Sequence, residues 1–128
     1  MIAWLLVLSY AALIFTLSSL PRPLPELVQK YFSDWILHGV EYGVFGLLLA
    51  RALHLTLGKS SNFFLVGAVF LLAALYGVSD EWHQSFVPNR QFSAQDIVAD
   101  GIGAFFGAWG WTVKLRYSRA KEKKVAGN

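Results

Sequence analysis

The sequence predicts an all-α protein, a four-helix transmembrane bundle with a short interfacial helix in the first outer loop. Three observations predict it. Hydrophobic residues make up 55% of the 128-residue chain and Asp, Glu, Lys and Arg only 15%, against roughly 25% in soluble domains; the mean hydropathy is +0.47. No charged residue occurs in residues 1–21 or 60–79, runs of 21 and 20 residues. At about 1.5 Å per helical residue, each can cross ~30 Å of hydrocarbon. These runs also lack the period-two alternation of a barrel strand. The composition argues against a soluble enzyme, a disordered chain and a nucleic-acid-binding module. The length is that of one domain. Without cysteine, disulfides, thiolate metal sites and cysteine nucleophiles are excluded.

The elements follow in order. The first span covers about residues 3–20 and is closed by Pro21. Its start carries no Lys or Arg and no clean small-x-small cleavage site precedes the prolines, so a retained span is expected rather than a signal peptide. Pro21, Pro23 and Pro25 impose an extended stretch. Beyond them Leu27, Val28, Tyr31 and Phe32 share one helical side and Glu26, Gln29 and Lys30 the other, the pattern of a short helix lying in the interface. The second span covers about residues 35–57 and is closed by Gly58. The third covers residues 63–79 and could continue to Phe86. The fourth covers residues 94–113, which completes a domain of residues 1–113; residues 114–128 form a basic tail.

That tail carries six Lys and Arg against one acid, whereas residues 1–113 hold five basic and seven acidic residues, a net of −2. Its expected partner is an anionic lipid surface, not nucleic acid. An even number of spans puts both termini on one side, with the tail, Lys59 and Arg51. Arg22, Lys30 and Arg90 fall on the other. The tally of eight against three makes the termini cytoplasmic by the positive-inside rule. The expected location is the bacterial cytoplasmic (inner) membrane, multi-pass.

Polar residues collect at the outer ends of spans two to four. Asp34, His38 and Tyr42 are spaced i, i+4, i+8, as are Tyr76, Asp80 and Gln84; Asp96 and Asp100 are spaced i, i+4. Such residues stack on one helical face. Charges are costly in hydrocarbon, so the stripes should converge on one outward-opening pocket, with Glu81 beside Asp80 and Arg90 reaching in from the loop. The expected ligand-binding set is Asp34, His38, Tyr42, Asp80, Glu81, Gln84, Arg90, Asp96 and Asp100. Ser33 or Asp34 can cap span two, and Ser93 with Asp96 fits a capping box. Arg90 is expected to pair with Asp80, Glu81 or Asp96 in preference to clamping a phosphate.

The stretch Asp80, Glu81, Trp82, His83, Gln84, Ser85, Phe86, Val87, Pro88, Asn89, Arg90, followed by Ser93, Asp96, Gly103 and Gly107, resembles the signature of VanZ-like membrane proteins. Asp34, His38 and Tyr42 resemble that family's second motif. The likeness covers roughly residues 34–107. Trp35 stands where that family often has Lys, and Asp100 where it often has Asn. The resemblance implies a small integral protein of the bacterial envelope, in a family named for a determinant of low-level teicoplanin resistance.

The expected function is engagement of a polar ligand at the outer leaflet, a lipid headgroup or a lipid-linked cell-wall precursor. Two alternatives stand beside it. One is a membrane-embedded hydrolase or transferase with His38, Asp34, Asp80 and Glu81 as catalytic candidates, His38 being oriented by a neighbouring Asp. The other is a structural or partner-binding protein. No cofactor is evident. The Asp34 and His38 spacing is compatible with a shared divalent metal, completed by Glu81, His83 or Asp96, with Mg or Ca admitted as readily as Zn. Gly103 and Gly107 form a G-x-x-x-G expected to pack within the bundle of a monomer, with a weak homodimer as the alternative.

Overall fold

The computed structural model describes residues 1–21, 33–58 and 61–127. The described residues form four helices and no strand: α1 (Ile2–Ser18), α2 (Asp34–Leu57), α3 (Asn62–Gln84) and α4 (Ala94–Ala126). The expected interfacial helix of the first outer loop lies outside the described residues, as does Lys59.

Each boundary has a local cause. α1 closes as Ser19 and Leu20 donate backbone N–H to the carbonyls of Phe15 and Leu17, and Pro21 cannot continue it. α2 ends at Gly58, whose φ of +67° lies in the left-handed region that a side chain disfavours. α3 begins behind Ser61, whose hydroxyl accepts from the Phe64 N–H at 3.1 Å, and continues past Ser79 to Gln84. α4 departs most from expectation, because it does not stop near residue 113 but runs 33 residues to Ala126. The reason is that charge ends an apolar span without ending a helix. The tail has neither Gly nor Pro until Gly127, and Lys123 and Lys124 in the last turn suit the negative end of the helix dipole.

The helices run alternately up and down. The end of α1, the start of α2, the end of α3 and the start of α4 meet at one end, where Ser18 bonds Asp80 and His38 bonds Asp100. At the opposite end the Trp4 indole donates to Thr56 at 2.8 Å, and the basic turns of α4 project exposed. α2 and α4 make the closest pairing. A Cβ added at Gly103 would collide with the backbone of Gly39 and Gly43, one at Gly107 with Gly43 and Leu47, and one at Gly46 with Ala104. Such close approach needs small residues on both helices, and Gly103 and Gly107 are engaged in this way within the chain.

Val7, Ile14, Tyr42, Phe45, Leu65, Val69 and Trp111 fill the core. Much of the remaining apolar surface points outward, including Leu5, Val44, Phe70, Leu71, Leu75, Phe106 and Trp109. α2 and α3 are long and apolar enough to cross a membrane, and only 22% of the most apolar stretch of α3 is buried. A core helix of a soluble protein hides that surface; here it is turned out, as lipid contact requires.

Candidate functional site

At the shared end, neighbouring carboxylates on α3 serve two different interfaces. Asp80 turns toward α1. Its Oδ2 accepts from the Ser18 hydroxyl at 2.8 Å and from the Gln84 side-chain amide at 2.9 Å. Glu81 turns toward α2 and α4. Its Oε2 accepts from the Ser93 backbone N–H at 2.8 Å, while Oε1 lies 4.0 Å from His38 Nε2. Both acids sit in the last turns of α3, where the helix's own dipole disfavours negative charge. The donors that hold them therefore come mainly from outside that helix.

His38 lies between two acids. Nδ1 is 3.0 Å from Asp100 Oδ1, and Nε2 faces Glu81. Its ring stacks on Tyr42 at 6.5 Å between centroids. Asp100 is completely buried, and room for its carboxylate comes from Gly77, where a Cβ would lie 2.7 Å from Oδ2. Asp80 Oδ1, Glu81 Oε1, Asp100 Oδ2 and the Tyr42 hydroxyl are buried with no hydrogen-bond partner among the described residues.

Asp96 completes the group in an unexpected way. Ser93 caps α4 as predicted, its hydroxyl accepting from the Asp96 N–H at 3.2 Å. In a full capping box the third residue returns the favour by binding the cap N–H. Here Glu81 takes that N–H, so the half-buried Asp96 carboxylate is left for the cluster. Ligand-type atoms of His38, Glu81 and Asp96 all lie within 4.8 Å of one another.

Arg90 does not make the expected ion pair; among the described residues it contacts no carboxylate. Its Nη1 donates to Gln84 Oε1 at 2.8 Å and its Nε to the Leu20 carbonyl at 3.4 Å. The cause is the turn at residues 87–90. The Arg90 N–H closes it on the Val87 carbonyl at 3.1 Å, and Asn89 takes a φ of +65°. Pro followed by an Asn of positive φ is the pattern of a type II turn, and it returns Arg90 to the end of α3. Gln84, with both a donor and an acceptor, joins the guanidinium to Asp80.

Of the nine residues expected in the site, His38, Tyr42, Asp80, Glu81, Gln84 and Asp100 are buried together, and Asp96 and Arg90 are half-buried at the margin. Asp34 stands apart, exposed in the first turn of α2. It lines a cavity of about 640 Å³ with Tyr10, Leu13, Leu17, Ser18, His38, Glu41 and Arg90 among others, but it is outside the His38, Glu81 and Asp96 group. His83 faces away from His38, stacking on Phe15 at 4.4 Å and sharing a 3.0 Å hydrogen bond with Ser19. Sequence reasoning missed Ser18 and Ser19. Their signal was two hydroxyls closing an otherwise apolar span, level with the acids of the other helices.

A family model described as VanZ/LLP1 matches residues 4–115. The chain belongs to the VanZ/LLP1 family. The match takes in the whole of the polar cluster and ends where α4 becomes basic. No curated protein and no solved structure matches the chain.

Proposed function

We propose that this VanZ/LLP1 protein is a four-span protein of the bacterial cytoplasmic membrane, both termini inside, that binds the polar part of a lipid at the outer leaflet. The ligand class is a lipid headgroup or a lipid-linked cell-wall precursor. Asp34, His38, Tyr42, Asp80, Glu81, Gln84, Arg90, Asp96 and Asp100 form or support the pocket. The observation that carries the reading is the mixed apolar and polar lining of the 640 Å³ cavity between α1 and α2. Leu13, Leu17, Leu37 and Val40 line it together with Asp34, His38, Glu41, Gln84 and Arg90. A ligand with an apolar tail and a polar head satisfies both, and a pocket at the polar ends of the helices meets headgroups. Arg90 has five N–H donors, and its two contacts among the described residues leave others for a phosphate. A lipid-linked precursor as ligand would also connect the site to teicoplanin susceptibility.

Native mass spectrometry of the full chain extracted from bacterial membranes tests this. The expected result is a phosphate-bearing lipid that leaves with the wild type and is lost from Arg90→Ala. Identical spectra for the two proteins would contradict it. One observation favours a second reading, hydrolysis or transfer: the Asp100 carboxylate orients His38 in the manner of an acid–base pair. Lipid turnover by the purified protein, abolished in His38→Ala, would separate catalysis from binding alone.

A further inference from the structure

We infer that His38, Glu81 and Asp96 form a site for one divalent cation of the Zn²⁺ or Mn²⁺ kind, held between α2, α3 and α4. The inference deepens the headgroup reading and rests on it for its role, though not for its geometry.

The 4.0 Å between His38 Nε2 and Glu81 Oε1 is too long for a hydrogen bond. It does suit two ligands of one ion, since atoms each about 2.0–2.2 Å from a metal lie roughly 3–4 Å apart. Asp96 brings a third donor within 4.8 Å of both, and no hydrogen bond among the described residues ties its carboxylate elsewhere. The independent sign is Glu81 itself. The residue is 0% exposed, and Oε1 is unpartnered while aimed at the imidazole. An uncompensated carboxylate oxygen in that position is costly, and a cation removes the cost.

The supporting contacts are those that metal ligands require. A ligating imidazole donates its other N–H to a carboxylate, which fixes its orientation; Asp100 stands 3.0 Å from His38 Nδ1. Glu81 is steadied through its second oxygen by the Ser93 N–H. Asp96 is placed by the cap of α4. His38 and Glu81 are thus aimed by partners outside the ligand set, and the cap fixes the backbone from which Asp96 reaches in. One nitrogen and two carboxylates, with positions left open, favour Zn²⁺ or Mn²⁺ over an all-oxygen cation.

Charge gives the site a role. This end of the bundle carries Asp34, Glu41, Asp80, Glu81, Asp96 and Asp100, against Arg90 as the one permanent cation among its described residues. An anionic headgroup entering this field meets repulsion. A divalent ion beside the cavity reverses the local sign and presents open coordination positions to a phosphate.

The experiment is titration of the full-length, tag-free protein in detergent, stripped with chelator, with Zn²⁺ or Mn²⁺ alone, followed by calorimetry and native mass spectrometry. One equivalent per chain is expected. Asp96→Asn, a half-buried position whose substitution leaves the Ser93 cap intact, should weaken binding at least tenfold, as should the isosteric Glu81→Gln. His54→Ala and His83→Ala should bind as the wild type does. Absence of a one-to-one site, or equal affinity in Asp96→Asn, overturns the inference. No lipid is added, so that failure leaves the Arg90→Ala lipid test standing, and loss of the lipid reading leaves the titration standing.

Discussion

At the scale of single residues, Asp100 is the most constrained group in the site. It is fully buried and holds His38, and the space for it exists because residue 77 on the facing helix is glycine. Gly77→Ala should therefore destabilise the protein by about 1–3 kcal/mol, the usual cost of overpacking. In an Asp100→Ala background the same substitution should cost markedly less, since the colliding carboxylate is gone. Unfolding in mixed micelles measures both; equal costs in the two backgrounds would remove Gly77 from the account. The position of Asp100 one turn beyond Asp96 was legible from spacing alone. The need for Gly77 was not, because a glycine in an apolar helix has several explanations and only the register between helices selects one. Arg90 shows the same limit. Its presence near the acids was legible, but its bond to Gln84 in place of a carboxylate depends on a turn whose direction Asn89 sets through its positive φ.

At the scale of elements, the decisive contact is the seam between α2 and α4. Substitutions of glycine should divide by location. Gly103→Ala and Gly107→Ala drive a methyl group into the backbone of α2 and should force the helices apart. Gly67→Ala and Gly110→Ala, with nothing within 4 Å of the added atom, should be neutral or stabilising by up to about 1 kcal/mol, the helix-propensity gain over glycine. Melting in detergent distinguishes the two pairs, and a similar response from all four would mean that the seam is not where it is described. Half of this seam was legible, as Gly103 and Gly107. The other half, Gly39 and Gly43 at the same four-residue interval, is as plain in the sequence but lies among the polar residues of α2, where spacing alone does not separate packing from chemistry. α4 outruns its apolar stretch for another physical reason: hydropathy marks where the apolar pattern ends, while the backbone follows propensity, and Lys, Arg, Glu and Ala all favour a helix.

At the scale of the whole molecule, the alternating direction of four helices places every inward-facing acid at one end and the basic turns at the other. This separation of charge was legible before any coordinates, since ionisable groups on different helices lower their cost in hydrocarbon by meeting one another. Which of them meet was not. The two separate networks, Ser18 with Asp80, Gln84 and Arg90, and His38 with Glu81, Asp96 and Asp100, follow from adjacent side chains on α3 turning to different neighbouring helices. The cavity opens beside both, and the His38 ring takes part in both the buried cluster and the cavity wall.

All of this depends on α2 and α4 bringing His38 and Asp96 together at this end. The chain has no native cysteine, so cross-linking in native membranes tests it without background. Cysteines at positions 38 and 96 should cross-link rapidly under mild oxidation or with a short bifunctional reagent, whereas a pair at positions 40 and 96, with Val40 on the exposed face of α2, should not. Equal rates for the two pairs would contradict the account.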